Sequence, residues 1–570
     1  MYSTDKLNNN SFIYSVPLGS ESKHIVDMFN ENNKNLIYAL PDNELIDEFN
    51  ESIIFFDQNI KIINLYEWDC APYDSFGPTR ENQAKRIINL VKLKSYLKNN
   101  NKFILLTTAN TLIQKIQDLS FYNRLKISKN SDLNYVQFIK HLDINGYEKV
   151  ENVYEVGTYA NRGGLIDVFS PNYKFPLRID FFGNEVDGIR LFNFQNQRTI
   201  RDVNVCIIYP FSEIIFEKSL INNFRKNYIF NFKRNNDDEI YTNTVERIRV
   251  NGLEQYLPLF YPDLKNIRDI IPNSIIVCDE FSQQELNIRL DKIKEIYNYK
   301  LDLEKNDDFI HNTMKPLNYS NLYSSEEDVI NLCNKDINIL TNSKNPNIDL
   351  YSDFNITKSS SNDFNDKINS LSANYSNLNL RIETLLKDLL KNKIKIIIFT
   401  QKINNTISFL NEIGIDQNIM TQVKNMYEVG NEFKIYLINK VDLGSYQDGG
   451  IAYISFNKIF NFKKNRNSFK SRKSDNYIKE INTINVGDLI VHSDYGIGKF
   501  NSIKKITSNE VTYDCLELIY KDNDKIHLPV ENIELLSLYS HSSSENVILD
   551  KREQPEWAKD ETWRDEFELD

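Results

Sequence analysis

Cysteine is scarce and scattered. Five occur in 570 residues, Cys70, Cys206, Cys278, Cys333 and Cys515, and none forms a CxxC pair. That spacing excludes a zinc ribbon and a disulfide framework, and it fits a reducing compartment. Histidine is rarer than its size would lead one to expect, with six copies and no H-x-x-x-H pair. No G-x-S-x-G elbow is present, so no nucleophile–base pair is assembled by local spacing. Long apolar runs are missing: nothing approaches the roughly 18 residues of a membrane-spanning helix, nor does a charged n-region with an apolar core open the chain. We therefore expect a cytoplasmic protein. Positive charge is also lacking. The net charge of −12 gives no global field that would draw the chain onto DNA, so any nucleic-acid contact must be local or made through a partner.

A complete phosphate loop is absent as well. The sequence G-x-x-x-x-G-K-[ST] works because backbone N–H groups cradle phosphate while the lysine meets its charge. The nearest early stretch, VPLGSESKH (16–24), has one glycine and no GK-[ST]. VCDEF (277–281) imitates the acidic end of a Walker B strand but has no partner loop, and YGIGKF (495–500) holds a GxGK in an all-β context. No catalytic residue and no metal ligand is assigned, and no cofactor is expected in this chain.

What is present is alternation of elements. The length allows roughly three to five domains. NLIYAL (35–40), ESIIFF (51–56), KIINLY (61–66) and KFILLTT (102–108) are expected as strands, and residues 81–98 as a helix. This alternation predicts a parallel sheet with helices on its faces. Residues 121–215 switch to period-two segments punctuated by Gly, Pro and Asn, which predicts an inserted antiparallel sheet. Helical patterns return over 216–335, with one buried strand in NSIIVCDEF (273–281). Residues 341–361 are expected to be a linker or loop. A second α/β unit follows, with a helix at 380–391 and strands in KIKIIIFT (393–400), FKIYLINK (433–440) and GGIAYISFNKIF (449–460). The basic, apolar-poor stretch 461–475 is a solvated tether or a phosphate contact, residues 484–540 are compact β structure, and 541–570 form an acidic tail.

In the insert, YANRGGLIDVFSP (159–171) places Gly163 and Gly164 between two strand-like runs. In FPLRIDFF (175–182), alternation puts Leu177, Ile179 and Phe181 on one face and Arg178, Asp180 and Phe182 on the other. The second face carries an arginine and an aromatic, residue types enriched at interface hot spots. An Arg–Asp surface pair beside one incidental exposed Phe accounts for the same pattern.

The stretch RGGLIDVFSP…FPLRIDFFGNEVDGIRLFNFQNQRTI resembles the module shared by the UvrB excision-repair protein and the bacterial transcription-repair coupling factor. APYDSFGPTRENQAKRI (71–87) and YLPLFYPDLKNIRDIIPNSIIVCDE (256–280) resemble further segments of that module. Residues 486–539 resemble the RNA-polymerase-interacting domain that coupling factors share with CarD-type regulators.

The resemblance implies a multidomain α/β and β architecture. Residues 1–120 and 216–335 would form a UvrB-like, degenerate RecA-type α/β domain, with an inserted antiparallel β domain at 121–215. A small α/β domain at 336–460, a basic linker at 461–482 and a Tudor-like or SH3-like barrel at 483–540 would follow. It implies UvrA binding through Arg162, Arg178 and Phe182. It also implies contact with the RNA polymerase β subunit through Ile503 to Ile506, with Lys505 and Ile506 nearest the partner and His527 as a further contact. The implied role is a docking platform that joins stalled polymerase to UvrA. The ATP-dependent motor of the family, and any DNA contact it makes, would lie outside this chain. A helicase subunit and a CarD-like transcription regulator are the alternatives. Whether Asp570 is a natural terminus, a gene split or a truncation stays open.

Overall fold

The computed structural model describes residues 11–456, except 75, 233–237, 306–314, 336, 347–353, 364–377 and 440–443. Beyond these it describes 489–492, 496–508, 511–520, 525–529 and 536–540. The chain divides into two units, 1–463 and 464–570.

The first unit is built on a seven-stranded sheet. Its spatial order is Asn355–Lys358, Ser11–Tyr14, Ile337–Leu340, Ile275–Asp279, Leu36–Leu40, Ile104–Thr108 and Ile62–Leu65, and every neighbouring pair is parallel. Period-two alternation divides the side chains between two cores. Phe12, Ile37, Leu105, Ile276 and Ile339 enter one core. Ile13, Tyr38, Leu106, Val277 and Leu340 enter the other. Burial on both faces explains why these strands read as continuous apolar runs, and each such side chain contributes about 1.5–3 kcal/mol.

Three expectations change. ESIIFF is not a strand but the last part of a helix, Asn43–Phe56. Asp42 caps that helix by accepting from the Leu45 amide at 3.1 Å, and Leu45, Ile46, Phe49, Ile53 and Phe56 face the core at helical spacing. The 341–361 segment is not simply a linker, because Asn355–Lys358 pairs in parallel with Ser11–Tyr14. Ile337–Leu340 and Asn355–Lys358, expected with the small α/β domain, therefore complete the first sheet.

Between Ile104–Thr108 and Ile275–Asp279 the chain inserts a six-stranded sheet. Its strands run in order from Glu148–Lys149 through Thr158–Asn161, Leu165–Val168, Leu177–Phe182 and Glu185–Phe192 to Thr199–Asp202. All pairs are antiparallel except the first. A third sheet has the order Asn362–Asp363, Tyr446–Asp448, Ile451–Ser455, Lys395–Thr400, Ile435–Asn439 and Met420–Gln422, with a parallel centre. Helices Leu378–Lys391 and Ile403–Glu412 supply its covering side chains.

The second unit is an antiparallel sheet of Lys525–Pro529, Val511–Ile519, Gly496–Ser508, Leu489–His492 and Leu536–Ser540, in that spatial order. The basic linker and the acidic tail lie outside the described residues. Among the described residues, no helix is long and apolar enough to cross a membrane.

Candidate docking site

The Arg-Gly-Gly stretch is the turn of the hairpin joining Thr158–Asn161 to Leu165–Val168. Gly163 and Gly164 have φ of +52° and +87°, which side-chain-bearing residues rarely adopt. The turn closes through the Arg162 amide, which donates to the Leu165 carbonyl at 2.8 Å. The Gly164 carbonyl accepts from the Phe181 amide at 2.7 Å, so the turn abuts the far end of strand Leu177–Phe182. A strand follows it, so the dipole and exposed amides of a helix N-terminus are not offered to a phosphate.

Phe182 is 82 % exposed. Arg162 is exposed too, and its guanidinium donates to the Glu151 carbonyl at 2.9 Å and to the Asn152 side chain. Arg178 shares the outward parity of Phe182 but is half-buried. Its fork grips Asp167, Nε to Oδ1 at 2.7 Å and Nη2 to Oδ2 at 2.8 Å, and it also donates to Gln197 at 3.1 Å. The guanidinium stands 4.4 Å from the centre of the Phe192 ring. The hydrogen bonds to Asp167 hold its pKa above the ordinary arginine value, despite an opposing desolvation effect. The neighbouring Asp180 is taken by Arg190 at 2.6 Å. On this face the Arg178 end is covered by a small apolar cluster that includes Ala160, Phe169 and Phe192, and the strand then passes through the Asp180–Arg190 pair to the exposed Phe182. Arg178 and Phe182 are four residues apart on one strand, a span of about 13 Å. The sequence did not single out Asp167; its signal is cross-strand register, since Asp167 stands opposite Arg178.

In the second unit, strand Leu489–His492 pairs with Leu536–Ser540 on one side, and on the other it meets the long strand from Gly496 to Lys499. Strand Val511–Ile519 pairs along the long strand's other side from Lys499 to Ser508. Beyond Lys499, one edge of the long strand has no strand partner among the described residues. Lys505 and Ile506 lie on this segment, opposite Asp514 and Tyr513, and His527 lies opposite Glu517. The side chains of Lys505, Ile506 and His527 are outside the described residues.

VPLGSESKH does occupy a phosphate loop's place, between strand Ser11–Tyr14 and helix Glu21–Glu31. Its contacts are internal. The Gly19 amide donates to the Glu21 carboxylate at 2.5 Å, so an acidic side chain takes the place an anion would occupy. Lys23 is turned to Asp27 at 2.6 Å and Asp448 at 2.8 Å. The adjoining cavity, of about 280 Å³, is lined by Glu21, Asp279 and Glu280 among others. Burial raises the Asp279 pKa, and Glu280 accepts from Thr341 at 2.6 Å. The sequence missed the further closure by Gly444, just before strand Tyr446–Asp448 of the third sheet, where an added Cβ would lie 2.0 Å from the Leu18 carbonyl oxygen. Among the described residues no group of three His, Cys, Asp or Glu side chains could hold a metal ion.

Two family models match the chain. One, the UvrB interaction domain, covers residues 125–214. The other, the CarD-like/TRCF RID domain, covers 484–540. Among curated proteins, the transcription-repair-coupling factor of Rickettsia bellii is 26 % identical over 551 residues, covering 95 % of this chain and 47 % of the relative. That of Escherichia coli is 24 % identical over 517 residues, covering 87 % and 42 %. That of Bacillus subtilis is 24 % identical over 464 residues, covering 77 % and 37 %. The chain thus spans about half the length of the curated relatives it matches. Over the part it shares with them, the chain is similar to the transcription-repair coupling factors, and it matches both the UvrB interaction domain and the CarD-like/TRCF RID domain.

Proposed function

We propose that this chain is a docking platform of transcription-coupled excision repair, holding UvrA on the inserted sheet and the RNA polymerase β subunit on the second unit. The observation that carries this reading is Phe182, 82 % exposed at the end of a strand whose other outward charges are paired off. An exposed aromatic on a strand that also carries an arginine matches the residue types enriched at interface hot spots. Arg162 would then make the polar contact, while Arg178, clamped by Asp167, would hold the strand and offer only the edge of its guanidinium. On the second unit, an edge without a strand partner among the described residues suits main-chain pairing with a partner strand through Ile503 to Ile506, including Lys505 and Ile506, with His527 as a further contact. The first sheet would be a degenerate RecA-type domain and the second unit a Tudor-like or SH3-like barrel.

The chain would run no ATP chemistry. Carboxylates crowd the loop at 16–24, and its only lysine is engaged elsewhere. ATP would serve the translocase motor of the longer relatives, and DNA would be reached through that motor or through partners.

The test is UvrA affinity in surface binding assays. Phe182→Ala is expected to cost about 2 kcal/mol or more, a loss of about thirtyfold. The combined Arg162→Ala, Arg178→Ala and Phe182→Ala variant is expected to abolish capture. Undiminished binding by the triple variant would overturn the assignment.

A further inference from the structure

Resting on the polymerase-docking reading of the second unit, we infer that Glu517 is the positioning residue that sets the direction of the docking strand. Glu517 is 1 % exposed. A carboxylate this buried is costly unless it is paired and hydrogen-bonded. Its partners come from both flanking strands. Lys504 Nζ lies 2.8 Å from Oε2, Lys525 Nζ lies 3.6 Å from Oε1, and the Asn501 amide donates to Oε1.

Asn501 is the decisive partner. The ladder between the two long strands runs Lys499 with Ile519, then Phe500 with Leu518, then Ser502 with Glu517. Asn501 is the extra residue of a β-bulge, and the buried carboxylate holds its side chain. Bulges bend a strand and increase its twist. This one falls just after Lys499, the last residue paired with strand Leu489–His492. It therefore redirects the strand where it leaves that neighbour and becomes the open edge carrying Lys505 and Ile506. Lys504, on that segment, is tied back to the same carboxylate. Glu517 thus links the bulge, the open segment and strand Lys525–Pro529, without itself lying on the open edge.

The test uses the full chain, with hydrogen exchange over 500–508, thermal melting, and affinity for purified core RNA polymerase at a temperature where every variant is folded. Glu517→Ala is expected to speed exchange over 500–508 and weaken polymerase binding about tenfold. Glu517→Gln, which keeps an acceptor for Asn501, is expected to restore most of both. Asn501→Ala leaves the buried carboxylate with its lysines and is expected to speed the same exchange with little change in melting temperature. This variant keeps the inference decidable if Glu517→Ala does not fold. Unchanged exchange over 500–508 in both Glu517→Ala and Asn501→Ala would overturn the pin. Faster exchange with unaltered polymerase affinity would overturn the positioning role. If the unaltered chain does not bind polymerase, the docking reading fails, while exchange over 500–508 still decides whether Glu517 holds the bulge.

Discussion

Replacing Glu213 with alanine is expected to destabilise the first unit by about 3–5 kcal/mol, the scale seen when one partner of a buried ion pair is removed. Arg86 is fully buried and Glu213 is 4 % exposed. The pair is bidentate, with Nε to Oε1 at 2.6 Å and Nη2 to Oε2 at 3.2 Å. The Trp68 indole N–H also donates to Glu213 Oε1 at 2.9 Å, and the guanidinium stands over the Trp68 ring at 5.5 Å. Arg86 belongs to helix Arg80–Lys98 against the seven-stranded sheet, whereas Glu213 lies where the chain returns from the insert. Without Glu213, a buried guanidinium keeps its charge and loses its counter-ion. The change is followed by Trp68 fluorescence in urea, in a background where Trp557 and Trp563 are phenylalanine. A local probe is needed because a chain of several domains does not unfold in one step. Combining Glu213→Leu with Arg86→Met should cost less than the sum of the single changes, since neither charge is then left alone.

Replacing Gly444 with valine is the second large expected effect, about 3 kcal/mol or more from the left-handed backbone together with steric overlap. Gly444 has φ +86°, and its added Cβ would lie 2.0 Å from the Leu18 oxygen and 2.9 Å from the Leu18 carbonyl carbon. Both are backbone atoms, so no rotamer change relieves the clash. The third sheet must move away from the loop at 16–24. The Lys23–Asp448 pair at 2.8 Å and the Tyr427 hydroxyl's bond to Asp57 at 2.6 Å should weaken with it. Hydrogen exchange should rise over 16–24 and 446–455 together. Gly450→Ala, where a Cβ meets nothing within 4 Å, is the control expected to leave both stretches unchanged.

These two sites show what the sequence makes visible and what it hides. Strands buried on both faces announce themselves as apolar runs, which is why Leu36–Leu40, Ile104–Thr108 and Ile275–Asp279 are legible. The same logic misplaces ESIIFF, because a short apolar run is equally the inner face of a helix, and the cap that decides it lies upstream at Asp42. Asn355–Lys358 is hidden for the opposite reason. It is a polar edge strand joined by main-chain bonds to Ser11–Tyr14, so its side chains carry little of the signal. In the candidate site, alternation is enough to put Arg178 and Phe182 on one face. It does not reveal that Asp167 occupies the Arg178 fork, since that depends on register between two strands. Nor can it reveal Gly444 against Leu18, or Glu517 under Asn501, because those contacts exist only once separate strands are assembled.

Whether one chain holds both partners at once is measured directly by ternary capture. Core RNA polymerase is immobilised, the full chain is added without nucleotide, and retained UvrA is measured. The docking account predicts that UvrA is retained only when the chain is present, and that the Arg162→Ala, Arg178→Ala and Phe182→Ala variant stays on polymerase while retaining no UvrA. Retention of UvrA by that variant at the level of the unaltered chain, or no retention by the unaltered chain, would contradict it.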